Sequence, residues 1–330
     1  MSMLVFSVGI ALLFWIAATG VLVGGRTAVE SAREKGVPAY IGARTAHAAL
    51  SDADRAAWQS FRSGAAQLTG PGQRFRDDIT TAGDSLSRIA EVDAGGEAGR
   101  DLLRSVNAQV VTYQGLVEQA DATYRKGLEE LGYAYLTYAS RMLHADGGLL
   151  DRIDEIAERD RRAVGERHGS FWVTDAAVAA VCLIAGALLA VLGYVQAAMA
   201  RRFRRVLNLP LLAASVLLLG LTAWVAATFL RAGDAFAAAA ERGLPAFDRT
   251  VRAQIAEADA GARALREDRP AAAGGGLDLA AAERAQRPLA ARLGGATDTR
   301  GLVAGLPAGT AAVAGLAALG IWLRLREYRR

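Results

Sequence analysis

Three histidines, one cysteine and several clustered acids are the side chains in this sequence that could ligate a metal or support covalent catalysis. His47, His144 and His168 are far apart and show neither His-x-x-x-His nor Glu-x-x-His spacing. A tetrahedral site needs ligands converging from close positions, so no metal and no cofactor are expected. Cys182 lies inside a long apolar run, where burial opposes the thiolate, and reads as packing. Asp77-Asp78 and the series Asp151, Asp154, Glu155, Glu158 read as solvated helix faces. The second set is spaced to pair with Arg152, Arg159, Arg161 and Arg162. No Gly-x-Ser-x-Gly elbow and no phosphate-binding Gly-Lys motif occurs, and Gly274–Gly276 reads as a linker. No catalytic residue is assigned, and the chain is read as non-enzymatic.

Two further sets could bind rather than react. Tyr113, Tyr124, Tyr133, Tyr135 and Tyr138, with Trp58, Phe61 and Phe75, fit a bundle core with phenols reaching its edge. The competing reading is a small-molecule pocket between helices, with an arginine for a carboxylate; the spacing selects no such arginine, so the ligand is unassigned. The second set is basic. Arg201, Arg202, Arg204 and Arg205 crowd one short connection, and Arg324, Arg326, Arg329 and Arg330 crowd the C-terminal end against the single acid Glu327. Arg201, Arg202, Arg204, Arg205, Arg324, Arg326 and Arg329 are candidate cytoplasmic output contacts. Their alternative role is to anchor topology and meet acidic lipid.

The elements that position these residues follow from hydropathy. Apolar runs occupy residues 4–23, 172–195, 207–230 and 302–323. Each has about the 20 residues a helix needs to cross ~30 Å of hydrocarbon. Asp175 is the one charge inside them. Short arginine-rich pieces stay cytoplasmic, which places residues 1–3, 196–206 and 324–330 inside and the segments 24–171 and 231–301 outside. The two basic pieces carry more positive charge than the whole chain's net +4, so the remainder is mildly acidic and nucleic acid is not an expected partner. The first run could also serve as a signal peptide. Its uncharged start and its length favour an anchor.

Both outward segments read as all-helical. Leu103, Val106, Val110, Tyr113, Val117, Ala120 and Tyr124 alternate three and four residues apart, the seam of an under-wound helix. Phe75, Ile79, Ala82, Leu86 and Ile89 form a similar seam, as do Leu128, Leu131, Tyr135, Tyr138 and Met142. A first helix through Ile41, Leu50 and Phe61 must bend near Gly36-Val37-Pro38. Breaks are expected at Thr69-Gly70-Pro71-Gly72, Ala94-Gly95-Gly96 and Asp146-Gly147-Gly148. Residues 24–171 therefore predict a four-helix bundle. Residues 231–301 predict a smaller hairpin with a stripe of Leu244, Phe247, Val251, Ile255, Ala258, Ala262 and Leu265. Such a hairpin needs support, from the larger bundle or from a second copy in a homodimer. Neither outward segment reads as a repeat of the other.

Ala49-Leu50-Ser51-Asp52-Ala53-Asp54 with Phe61-Arg62-Ser63-Gly64 resembles the first ectodomain helix of four-span actinobacterial membrane sensors linked to amino-acid sensing. Arg74–Ile79, Tyr113–Glu118 and Ala134–Ser140 are similar to their later helices, and the basic loop and tail fit as well. That resemblance implies a relay from an extracytoplasmic glutamate/glutamine-type solute-binding lipoprotein to a cytoplasmic Ser/Thr kinase of the protein kinase G type. The outer bundle also resembles the four-helix sensor domain of chemoreceptors. The function expected is a membrane sensor or signal-transducing adaptor, against the alternative of a scaffold that organises cell-envelope complexes.

Overall fold

The computed structural model describes residues 30–92, 96–168, 175–203 and 209–269 continuously, with scattered positions within 16–27, 278–291 and 308–319. The described residues are helical, with no strand among them. The apolar runs at 4–23 and 302–323 lie largely outside the described residues. Contacts divide the chain into two compact units. One holds residues 31–166 with 239–291, and the other holds 1–30, 167–238 and 292–330.

In the first unit a π-helical turn, Ala32–Gly36, leads into α1, Val37–Arg62. A single short turn, α2 (Ala66–Thr69), precedes α3 (Gly72–Val92), α4 (Gly96–Arg125), α5 (Glu129–His144) and α6 (Leu149–His168). Breaks fall where predicted at Gly70-Pro71 and at residues 145–148; turns at residues 63–65 and 126–128 were not expected, and residues 93–95 lie outside the described residues. Between α5 and α6, Gly147 sits at φ 70°, a conformation that a side chain resists.

Nineteen of the 26 residues of α1 are buried, which makes it the central helix. Alanines at 39, 43, 46, 49, 53 and 57 keep it thin, so neighbours approach closely. The predicted seams of α3 and α4 are inward: Phe75, Leu86, Val106, Tyr113 and Val117 are all essentially inaccessible.

A second π-helical turn, Ala239–Gly243, leads into a further long helix, Leu244–Arg266. This helix packs along α1, with Phe247 against Tyr40 at 6.4 Å between ring centroids. Residues 244–266 thus lean on the larger bundle, which gains a further long helix beyond the four expected.

The α5 seam is a correction. Leu131 and Tyr138 are 47% and 61% exposed, as is Leu128 at 54%, whereas Gly132, Leu136, Ala139 and Leu143 face inward. Both stripes have helical spacing; Leu136 and Leu143 fill the interior, and Gly132 on the same face lets α4 approach closely. A Cβ on Gly132 would lie 2.9 Å from Tyr124 Cβ.

The second unit contains α7, Asp175–Phe203, and α8, Leu209–Ala238. With these, the long helix Leu244–Arg266 becomes α9 in chain order. Val181, Ala185 and Leu188 of α7 are buried, as are Ala214, Leu218, Leu221 and Val225 of α8, and the two helices pack on each other. At 308–313 a helical turn brings Gly309 against Leu221, where a Cβ would stand 3.1 Å from Leu221 Cδ1. Among the described residues, Leu212–Arg231 is long and apolar enough to cross a membrane, and Ala179–Val191 is a shorter apolar helix.

Candidate functional site

Two short segments of the sequence match. Glu34-Lys35-Gly36-Val37-Pro38-Ala39-Tyr40 and Glu241-Arg242-Gly243-Leu244-Pro245-Ala246-Phe247 share Glu, Gly, Pro and Ala, and the other three pairs keep their chemical type. This overturns the reading that the outward segments share no repeat. The period is hidden because the match ends after one helical turn.

The structure repeats as well. Each segment carries the end of a π-turn and the start of an α-helix with proline in its first turn. Proline removes one backbone donor and crowds the carbonyl four residues before it. The wider i→i+5 turn gives that carbonyl room, so the helix passes a proline without breaking. Gly36 and Gly243 are buried in both copies, and the two aromatic residues that end the motifs touch.

From this paired start, a ladder of buried polar groups runs along α1. The first rung joins three helices. Arg44 Nη1 donates to Asp154 Oδ1 of α6 at 2.8 Å, and its Nε lies 3.0 Å from Asp248 Oδ1 of α9. His47 Nδ1 is 2.8 Å from the same Asp154 oxygen, and Arg252 reaches Asp248 Oδ2 at 2.6 Å. Burial alone would raise the Asp154 carboxyl, but the His47 hydrogen bond and the Arg44 and Arg252 charges bring it below the usual carboxylate range. Burial pushes the Tyr40 phenol up; Arg44 opposes the shift and Asp248 reinforces it.

The second rung is a four-group cluster. Asp52 accepts from Arg55 Nε at 2.9 Å and from Arg74 Nε at 3.1 Å. Burial, together with the negative charge of Asp52 and a side-chain hydrogen bond to it, pushes the Asp78 carboxyl up to about 8. Arg55 also lies over α9, where a Cβ on Gly261 would come 2.7 Å from its Cδ.

The third rung links four helices through one chain of hydrogen bonds. Arg266 Nη1 of α9 donates to Ser140 Oγ of α5 at 2.9 Å. Ser140 Oγ donates to Asp54 Oδ2 of α1 at 2.8 Å, and Tyr113 Oη of α4 approaches Asp54 Oδ1 at 3.4 Å. His144 Nε2 is 3.2 Å from Asp54 Oδ2. Asp54 has no solvent exposure. Burial, then the Asp54 charge, holds the Tyr113 phenol well above its ordinary value.

At the far end Arg62 closes the ladder. Its guanidinium donates to the Leu265 and Arg266 carbonyls and to Asp268, holding the last turn of α9. It also lies over the Tyr133 ring at 5.2 Å. Beneath it, Phe61, Tyr124 and Tyr133 form an aromatic cluster, with both phenols donating to the Phe61 carbonyl.

Trp58, Phe61, Phe75, Tyr113 and Tyr124 are therefore core. Tyr133 and Tyr135 are half-buried and Tyr138 faces outward. An open cleft of about 540 Å³ lies between α3 and α4, with Phe75, Arg76, Glu118 and Arg125 among its walls; Arg125 is already paired with Asp121. No group of three or more His, Cys, Asp or Glu suited to a metal occurs among the described residues.

The histidines behave as structural partners: His47 and His144 join different rungs of the ladder. Of the candidate output arginines, Arg201 and Arg202 fall in the last turn of α7, and Arg204, Arg205, Arg324, Arg326 and Arg329 lie outside the described residues. Sequence reading missed the ladder because Asp52, Asp54 and Arg55 look like an ordinary solvated patch. The available signal was the alanine-rich context, which leaves α1 no other polar face.

No curated protein and no solved structure matches the chain. Residues 28–169, less than half of the chain, match the family model described as an actinobacterial sensor domain, so the bundle from the first π-turn through α6 is similar to that sensor domain.

Proposed function

We propose that the chain is a multi-pass membrane sensor that carries an extracytoplasmic signal inward through a shift of α9 along α1. It has no catalytic step of its own. Four spans hold it in the membrane, with both polar segments outside and the termini inside. The observation that carries this reading is the matched pair of π-turn and proline segments, joined through Tyr40–Phe247 and bridged by Arg44 to α6 and α9. Single π-turns inside long helices recur at functional positions, and two in register give a built-in place for helices to slide or rotate. A ladder of buried and half-buried ion pairs stabilises poorly by itself, but it distinguishes one register from another.

The similarity to a sensor domain supports a sensory role. The input proposed is glutamate/glutamine-type amino-acid status, delivered by a solute-binding lipoprotein. The output is contact of Arg201, Arg202, Arg204, Arg205, Arg324, Arg326 and Arg329 with a cytoplasmic Ser/Thr kinase.

The test is disulfide trapping in membranes, in a Cys182→Ala background. Arg62→Cys with Asp268→Cys spans the α1–α9 contact at its exposed end. The trapping rate should change when glutamate, glutamine or aspartate is added to cells holding the lipoprotein. A rate indifferent to all three, in cells where a solute-binding lipoprotein crosslinks to the bundle, rules out the sliding mechanism.

A further inference from the structure

Among the described residues, nothing in the bundle covers the outward stripe of α5. Leu131, Tyr135, Tyr138 and Met142, with Leu128 at the N-cap just before the helix, are spaced three and four residues apart, the pattern of a coiled-coil seam. Leu128, Leu131 and Tyr138 are exposed and Tyr135 and Met142 half-buried, while the opposite face of the helix is buried. A helix apolar on two faces is expected to be covered on both. No charged residue occurs from 131 to 140, in a chain where charged residues are 22% of the total.

We infer that this stripe pairs with the same stripe of a second copy of the chain. Charge chooses the occupant. Where a helix meets its own twin, any charged residue on the seam faces a like charge, so a self-pairing seam must be neutral. A foreign partner imposes no such condition and is commonly steered by opposite charges. The acids Glu129 and Glu130 and the base Arg141 stand at the ends and flanks of the neutral stretch, off the five seam positions. Three of the exposed seam side chains are large: Leu128, Leu131 and Tyr138. Tyrosine adds contact area at small conformational cost.

Area sets the strength. Sixteen residues make a helix about 24 Å long. One pair of such helices covers less than the roughly 800 Å² per partner of a stable complex. The pairing is therefore weak between free domains and becomes effective when two copies share one bilayer, which raises the local concentration to about the millimolar range. The shared bilayer rests on the membrane reading above, and it makes the two helices run in the same direction, twin beside twin.

The experiment uses the full chain in membranes with Cys182→Ala and one new cysteine at a time. Leu131→Cys and Tyr138→Cys lie on the stripe; Thr80→Cys is an exposed control on α3. All three positions are solvent-facing, so the bundle core is untouched. Mild oxidation should give a band of twice the chain's mass at both stripe positions and none at the control. Adding Leu131→Arg to Tyr138→Cys should abolish that band. Absence of the band at both stripe positions, equal linking at Thr80→Cys, or a product of any other mass overturns the proposal. Recovery of the chain in the membrane fraction checks the membrane reading separately from the pattern among the cysteines.

Discussion

Asp78 shows how a single buried group ties this fold to pH. Its carboxyl is pushed up to about 8 by burial and by the neighbouring Asp52 charge. In the unfolded chain the same group loses its proton near about pH 4. Between those values the folded state holds a proton that the unfolded state has released, so stability falls as pH rises. The slope contributed by one such proton is at most about 1.4 kcal/mol per pH unit. Above about pH 8 the folded group is ionised too, and the loss is complete. Asp78→Asn keeps a neutral hydrogen-bonding side chain beside Asp52 and removes the titration. Urea unfolding of the variant should show a flatter decline from pH 5 to pH 8 than the parent. Parallel curves would mean that Asp78 is ionised in the fold. Asp154 acts in the opposite sense: its lowered carboxyl supplies stability that disappears as pH falls through its folded pKa, whichever residue stands at position 78.

At the scale of elements, glycine decides how closely helices pack, and the sign of a glycine substitution depends on what its Cβ would meet. Gly132 of α5 faces α4, where a Cβ would lie 2.9 Å from Tyr124 Cβ and 3.1 Å from the Ala120 carbonyl oxygen. Gly132→Ala must push the hairpin apart and should cost about 1–3 kcal/mol. Gly115, in the middle of α4, has nothing within 4 Å of that point. There the added methyl only reduces unfolded-state freedom, so Gly115→Ala should stabilise by about 0.5–1 kcal/mol. Denaturant midpoints measured side by side separate the two, and equal shifts would refute the close approach. The same residues explain what was legible in the sequence. The seams of α3, α4 and α9 could be read because each has one large apolar stripe, whether its centre is Leu86, Tyr113 or Phe247. On α5 two stripes compete, and periodicity counts apolar residues without weighing their size. Leu131 and Tyr138 outrank Gly132 and Ala139 in apolar size and still lose the interior to them. The polar ladder escaped for a related reason: Asp52, Asp54 and Arg55 carry no sign of burial in their types, only in the alanines around them.

The whole molecule raises the question of how much of the sensor-like bundle stands without its distant partner. Residues 28–169 match the sensor-domain model, yet α9, some two hundred positions downstream of α1, supplies one wall of α1. Without it Tyr40 loses Phe247, Arg44 loses Asp248, and Ser140 loses the Arg266 guanidinium. Arg62 also loses the two α9 carbonyls it holds. The uncovered face is not a neutral loss. Burying one side chain such as Phe247 or Val251 is worth about 1.5–3 kcal/mol, and Arg55 is left beside an empty groove. An excised fragment of residues 31–168 should therefore unfold at a lower temperature than the same fragment joined by a flexible linker to residues 239–269, and it should bind more of a hydrophobic dye. Asp248→Asn in the joined version should remove part of the gain, because Arg44 then loses one of the two carboxylates it pairs with. If the fragment alone melts with the joined version and binds no more dye, α9 is an ornament on a self-sufficient bundle. The slide of α9 along α1 would then have no energetic grip on the rest of the molecule. If the gain appears and Asp248→Asn diminishes it, the bundle is completed by a helix from beyond α7 and α8, and any force that shifts α9 is felt at Arg44, Arg55 and Ser140 together.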